Sequence, residues 1–305
     1  MRIGFIGAGK AGKALGMYFK AHGLSVAGYC SRTEASAQQA ATCTETAQYS
    51  SAELLCADCD VLFVTTPDGV ISDIDREAFA LLREGRIGTD KVWLHVSGAL
   101  PSDEFSELSR AGCAVGSMHP LQSFGDPAVT AGLLDNTYFS LEGTPKAMET
   151  MRMILDTCGA RYSEIETARK PLYHAGACIL SNYLVTLLNS GFTFLRAAGM
   201  PEDGLFDAAL PLLLGTLENV REKGAANALT GPIARGDMKT VTVHLSAIEK
   251  VLPSETDFYR TLGLATVKMI ENQRLDCEKA AGLKTILRGC GTNGCEVYSE
   301  IISGG

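Results

Sequence analysis

The chain has 305 residues, 46% of them hydrophobic and 20% charged, with a formal net charge of −8. That length is comfortable for two domains, and the composition is that of a folded globular protein rather than a disordered one. The acidic balance argues against a general nucleic-acid binder, although a local pocket can still be basic.

Arg2–Ile6 reads as a short buried strand, and Gly7, Gly9 and Gly12 follow it in G-x-G-x-x-G spacing. Lys13–His22 has helical character, and a second apolar run, Leu24–Tyr29, comes after Gly23. Strand, glycine turn, helix and strand within about thirty residues make a dinucleotide-binding fingerprint. Gly7 permits the tight turn, Gly9 lets backbone approach a pyrophosphate, and Gly12 lets the helix lie close on the strand. The helix start, with Ala8, Lys10 and Ala11 among the glycines, offers free N–H groups and a partial positive charge to phosphates. NAD enzymes usually end the second strand on an acid that bonds the ribose hydroxyls. Here the segment is Tyr29-Cys30-Ser31-Arg32-Thr33, with no acid before Glu34. Ser31 and Thr33 offer hydroxyls and Arg32 a fork for a phosphate, so the expected cofactor is NADP. A solvated Arg32 is the plain alternative.

Glu34–Ala41 and Ser50–Cys56 read as helices, and Asp60–Thr66 as a buried parallel strand running to Pro67 and Asp68. Ligands of doubly wound sheets lie beyond the carboxyl ends of strands, which puts Thr65, Thr66 and Pro67 at the cofactor crevice. Asp68 can simply cap the helix that follows. Cys56 and Cys59 have C-x-x-C spacing and Cys290 and Cys295 stand close together, but Cys59 is expected to pack, and no metal site is expected. With no secretory signal before the first strand, the ten cysteines point to a reducing cytoplasm.

Lys91–Val96 is the next strand, ending in Ser97-Gly98-Ala99-Leu100-Pro101. Ser97 either meets a substrate oxygen or the nicotinamide carboxamide, with Gly98 beside it, or it tightens the turn. Trp93 is expected in the core and His95 as a satisfied buried histidine. Cys113–Met118 leads into His119-Pro120-Leu121-Gln122-Ser123-Phe124. An imidazole at a strand's carboxyl end, fixed by a proline, suits the orienting of substrate or the relay of a proton. Two short strands, Tyr138–Leu141 and Arg161–Ile165, flank a helix, Pro145–Cys158, and the first domain is expected to span 1–166.

The second half, 167–289, reads as helical. No Asp, Glu, Lys or Arg interrupts Pro171–Leu195. Length admits a membrane span, but His174, Ser181, Asn182, Thr186, Asn189 and Ser190 would find no partners in lipid. The expectation is the buried axis of a helical domain, contributing to a homodimer core. Lys170 and His174 are four apart, Cys178 and Asn182 continue the stripe, and Ser181 lies at its edge. Such a stripe on an uncharged helix is read as facing substrate, the alternative being a Lys170 solvated at the helix start with His174 and Asn182 bonded to neighbouring helices. Asp203–Lys223 follows, with Leu210, Leu213, Leu214 and Leu217 as its packing face and Pro211 as a kink. In Thr230-Gly-Pro-Ile-Ala-Arg-Gly-Asp237, Arg235 either grips a carboxylate or pairs with Asp237 while that residue caps Met238–Val251. Ser254–Asp257 resembles a capping box for a helix running to about Gln273, and the glycine-rich end, 290–305, is expected to be a mobile tail.

GFIGAGKAG, the TTPD turn, HVSGA, SMHPLQSF, the YHAGACILSNY helix and LTGPIARGD cover most of residues 1–275. Together they resemble the Rossmann-like oxidoreductases that carry a helical C-terminal domain of unknown function. That group is distantly related to pyrroline-5-carboxylate reductase and the hydroxyacid dehydrogenases, and is often labelled as coenzyme F420-dependent NADP oxidoreductases. Some members are alternative ketopantoate reductases. The resemblance implies an α/β fold, with an N-terminal Rossmann domain and a mainly α-helical C-terminal domain, and an NADPH-dependent reductase of a small 2-oxo acid. In that enzyme His174 or Lys170 would donate the proton, Asn182 and Ser97 would orient the carbonyl, His119 would line the nicotinamide side and Arg235 would hold the carboxylate. An imine reductase of the pyrroline-5-carboxylate type is the enzymatic alternative, and a dinucleotide-sensing protein the non-catalytic one.

Overall fold

A computed structural model describes residues 1–289, and the expected tail, with Cys290 and Cys295, lies outside the described residues. The chain divides into two compact units, Met1–Tyr183 and Leu184–Gly305. In the first, strands and helices alternate: β1 Arg2–Ile6, α1 Lys10–Ala21, β2 Ser25–Cys30, α2 Glu34–Thr44, β3 Ala47–Gln48, α3 Ala52–Asp58, β4 Val61–Val64 and α4 Ile71–Arg83. They continue with β5 Val92–His95, α5 Ser106–Arg110, β6 Ala114–Pro120, α6 Pro127–Leu133, β7 Tyr138–Gly143, α7 Pro145–Thr157, β8 Arg161–Glu164 and α8 Lys170–Leu180.

The strands form one sheet in the order β3-β2-β1-β4-β5-β6-β7-β8. The pairing is parallel from β3 through β6, and β7 runs antiparallel to β6. Alternation along buried strands sends neighbouring residues to opposite faces. Phe5, Phe63 and Leu94 join α1, α2 and α7 on one side, while Leu62, Trp93 and Val64 meet α3, α4 and α5 on the other. Phe5 stacks between Tyr29 and Phe63, with ring centroids 5.1 and 5.6 Å away. Each such ring contributes about 1.5–3 kcal/mol by burial alone, so this stack anchors β1 in the sheet. Cys56 and Cys59 are buried in the second layer, where Cys59 packs on Gly4 of β1. Order reverses at β1, with β2 on one side and β4 on the other, and that is where doubly wound sheets open a crevice.

The second unit is helical. The turn at Ser181 leads into α9, Asn182–Ala197, followed by α10 Leu205–Lys223, α11 Ala225–Ala228, α12 Pro232–Arg235, α13 Met238–Val251, α14 Thr256–Ile270 and α15 Cys277–Arg288. Its core is Val241 and Leu245 of α13, Val267 and Ile270 of α14, and Leu283 and Leu287 of α15. Asp237 caps α13, accepting from Thr240 N at 3.0 Å and Thr240 Oγ1 at 2.7 Å. The expected capping box at Ser254–Asp257 does not form: Glu255 stands at the start of α14 and accepts instead from Ser190 Oγ.

Two expectations about the helices are corrected. The helical stretch Thr167–Ala197 is long and apolar enough to cross a membrane, but it is not a buried axis: Leu172, Leu180, Tyr183 and Val185 stand 65–75% exposed. On α10, Leu214 and Leu217 of the expected packing face are also exposed, as is Leu212. Apolar residues at helical spacing show that a face wants cover, not what supplies it.

Asp75 of α4 is buried and caps α5 from a distance, accepting from Glu107 N at 2.8 Å and Leu108 N at 3.0 Å. Asp75→Ala leaves both amides unpaired and should cost about 2–3 kcal/mol in urea unfolding; an unchanged midpoint would contradict that role.

Candidate active site

The glycine turn is built as its spacing requires. Gly7 has φ +110°, and a Cβ there would stand 2.8 Å from the Thr65 carbonyl carbon. A Cβ on Gly12 would meet Thr65 Oγ1 at 2.5 Å and Gly7 O at 2.7 Å. Both glycines are therefore demanded by the protein's own packing, and Thr65 locks the arrangement by donating to Gly7 O at 2.9 Å. Gly9 differs. It caps α1 in extended backbone, and no protein atom lies within 4 Å of a Cβ built on it. No acid stands in the first turn of α1, so its free N–H groups keep their pull on an anion.

Around the turn, Ala8 is buried and Lys10 exposed, with Ala11 between them. At the end of β2, Ser31 is half-buried and Arg32 exposed. Thr33 is a helix cap: its Oγ1 accepts from Ser36 N at 3.4 Å, which engages the hydroxyl expected at the ribose. Past β4, the Thr66 hydroxyl is buried with no hydrogen-bond partner among the described residues. Pro67 is exposed next to it. Asp68 does not cap the turn after it but accepts from Ser97 Oγ at 2.9 Å.

Ser97 is occupied by its own loop. Besides donating to Asp68, its Oγ accepts from Ala99 N at 3.2 Å and Leu100 N at 3.0 Å, which is the turn-tightening role. His95 is a satisfied core histidine, accepting from Ser97 N at 3.2 Å and donating to Pro101 O at 3.0 Å. Burial first, and then the Lys170 charge, push its pKa down to about 3.

Gly98 is the floor of a small polar group. A Cβ there would meet His119 Nε2 at 2.7 Å and His174 Cδ2 at 2.8 Å, so both imidazoles lie over this glycine. His119 is next to last in β6, before Pro120, and its Nδ1 is 2.8 Å from Tyr173 OH. Burial, then Lys170 and His174, push the His119 pKa down to about 4, so the ring is neutral at pH 7. His174 is half-buried and its ring contacts Cys178 Sγ at 3.8 Å. Tyr173, next to it on α8, was not among the expected site residues.

Three members of the expected stripe are placed otherwise. Lys170 is neither solvated nor open to substrate: its side chain has no exposed surface, and Nζ bonds Ser117 Oγ and Glu142 Oε1. Glu142 accepts further from Ser102 N at 2.8 Å, Ser102 Oγ at 2.6 Å and Thr167 Oγ1 at 3.1 Å. Burial lowers the lysine pKa while Glu142 opposes the shift. Lys170 thus anchors α8 and is removed as a direct proton donor. Ser181 breaks the helix with φ −117° and ψ −69°, and Asn182 begins α9. Both are exposed, and the break at Ser181 ends the unbroken helix that the stripe assumed. Arg235 is exposed at the end of α12, in the second unit. Among the described residues no group of three or more His, Cys, Asp or Glu is arranged to hold a metal ion.

With this geometry in view, residues 1–120 match the Rossmann-like domain family and residues 137–266 match a domain of unknown function, DUF2520. No curated protein matches the chain. Among solved structures, a Thermotoga maritima protein aligns at 24% identity over 89% of this chain and 99% of its own, with a TM-score of 0.69. A Bacteroides fragilis protein described as an NADP oxidoreductase aligns at 21% over 87% and 97%, with a TM-score of 0.64. An imine reductase from Pseudomonas sp. aligns at 15% over 93% and 98%, with a TM-score of 0.61. Identities this low establish the shared fold.

The two neutral histidines make stability depend on pH. Unfolded, each binds a proton near pH 6.5; folded, His95 does so only near 3 and His119 near 4. The unfolded state therefore holds more protons below about pH 6.5, and stability falls as pH falls through this window. Urea unfolding should show a loss of about 2 kcal/mol per histidine between pH 7 and pH 5, and His119→Asn should remove about half of it. A flat profile would contradict the buried neutral state.

Proposed function

We propose that this chain, which joins a Rossmann-like domain to a DUF2520 domain, is an NADPH-dependent reductase of a small 2-oxo acid, with ketopantoate the first substrate to try. The observation that carries this reading is the imidazole pair over Gly98, in the same sheet as a glycine turn whose middle glycine no protein atom requires. The residues fit the cofactor. Gly7–Gly12 and the first N–H groups of α1 would hold the pyrophosphate, Ser31 and Arg32 the 2′-phosphate, and the unpaired Thr66 hydroxyl, Pro67 and Gly98 the nicotinamide end. NADPH, when bound, supplies the hydride. The chain's own work is to hold the carbonyl, stabilise the oxygen as it gains charge and give it a proton. His174 is the proton donor.

An imine is the second reading, because the fold is shared with an imine reductase. An imine arrives protonated and leans less on an acid. With purified protein, NADPH absorbance should fall with ketopantoate or another 2-oxo acid, and His174→Ala should lower turnover at least about tenfold. Consumption with pyrroline-5-carboxylate alone, indifferent to that substitution, would favour the imine, and NADPH binding without consumption by any of these substrates would leave a dinucleotide sensor. Gly9→Val separates binding from folding: it should keep the melting temperature and weaken NADPH binding at least about tenfold, whereas Gly7→Ala should lose both. Unchanged NADPH affinity in Gly9→Val would overturn the cofactor assignment.

The uncovered helix faces support a homodimer. Leu172 and Leu180 of α8, Val185 of α9, and Leu212 and Leu217 of α10 are large apolar residues more than half exposed. Such surfaces on a globular chain mark an interface, and a second copy can cover them symmetrically. Sedimentation should give twice the mass of one chain, and Leu212→Asp with Leu217→Asp should halve it. A monomeric wild type that binds neutral lipid vesicles would contradict the dimer and favour a membrane surface.

A further inference from the structure

His119, next to last in β6, has a partner that the proposed chemistry does not use. Tyr173 OH lies 2.8 Å from His119 Nδ1, and the two rings meet edge to face with centroids 5.5 Å apart. A neutral imidazole has one N–H and one lone pair, so the partner of Nδ1 decides which nitrogen keeps the hydrogen. Tyr173 is half-buried. A phenol O–H is a stronger hydrogen-bond donor than the phenol oxygen is an acceptor, so at 2.8 Å the Tyr173 O–H donates to the Nδ1 lone pair. His119 then carries its hydrogen on Nε2. That nitrogen is the one over Gly98, and among the described residues it makes no hydrogen bond.

We propose that Tyr173 is a positioning residue that locks neutral His119 as its Nε2–H form, so that Nε2–H is a fixed hydrogen-bond donor for the substrate's carbonyl or imine group above Gly98. The idea rests on the reductase reading and deepens it. His119 gives up no proton; it donates one hydrogen bond that strengthens as charge develops on the substrate oxygen, while His174 delivers the proton. A donor held in place before the substrate arrives costs no reorganisation during the reaction, and that is what the tyrosine contributes. The neighbouring charges agree with a neutral ring. Lys170 and His174 both disfavour a positive His119, and the Glu142 carboxylate that could favour one is held by Lys170, Ser102 and Thr167.

The tautomer is measured directly by nitrogen-15 NMR of the wild-type histidines at pH 7, with no substrate and no variant. His119 should show a protonated Nε2 and an unprotonated Nδ1; a protonated Nδ1 or an imidazolium overturns the proposal even if the enzyme is active. The same result stands if no substrate is ever found, so failure here and failure of the reductase reading are distinguishable. In Tyr173→Phe the signals should move to a mixture of both forms. Its turnover should fall about tenfold with NADPH affinity unchanged. His119→Gln, whose amide N–H can take the place of Nε2–H, should keep more turnover than His119→Asn, whose amide reaches only the place of Nδ1. Equal loss in the two variants, or full turnover in Tyr173→Phe, would contradict it.

Discussion

An ammonium and a carboxylate that water does not reach, those of Lys170 and Glu142, decide where α8 begins. Taking two charges out of water costs several kcal/mol each, and their attraction offsets this only where the remaining polar atoms also find partners. Here they do. Glu142 accepts from Ser102 and Thr167 as well as from the lysine, and Lys170 also reaches Ser117 on the neighbouring strand. The pair is therefore a clamp between the first turn of α8 and β6 and β7, the strands past the crevice. With that turn held, Tyr173 and His174 follow one turn on, the first against His119 and the second over Gly98. Losing either partner would strand the other charge, so the position of the imidazole pair is tied to the integrity of the sheet itself.

The other half of the site depends on sterics rather than charge. Gly7 and Gly12 are glycine because Thr65 and the Gly7 carbonyl occupy the space a side chain would need. Packing therefore accounts for two members of the fingerprint and leaves the third, Gly9, to whatever binds beside the helix start. The same contrast runs through the polar atoms. Ser97 and Thr33 spend their hydroxyls on turn and cap, whereas Thr66 and His119 Nε2 are left without partners among the described residues. A buried or constrained donor without a partner is costly in a folded chain, which makes these atoms the places to expect a ligand.

Much of the fold was legible because it is local. The alternation of glycine turn, buried strand and helix repeats within short windows, and β1, α1, β4 and β5 appear near their expected bounds. Position alone put His119 at the carboxyl end of its strand, where the structure also has it. Lys170 was misread in both of its sequence readings, since its partner Glu142 lies far off in sequence on another strand and no spacing rule connects them. Ser181 and Asn182 failed for the opposite reason: a helical period was carried through a residue whose backbone ends it. Tyr173 went unnoticed because an aromatic in an apolar helix looks like packing, and only its 2.8 Å contact with His119 says otherwise. The helix faces expected to be buried stand exposed in the single chain, since helical spacing of apolar residues does not say what covers them.

The central claim is spatial: one sheet carries a phosphate cradle at β1 and, past β5, the Gly98 loop beneath the imidazoles of His119 and His174, and one nucleotide reaches both. A crystal structure with bound NADP+ tests it most directly. The account predicts the pyrophosphate against the backbone of Gly9 and the nicotinamide ring beside Gly98, within contact of His119 and His174. A nicotinamide lying away from both histidines, or a nucleotide seated anywhere other than the start of α1, would contradict it.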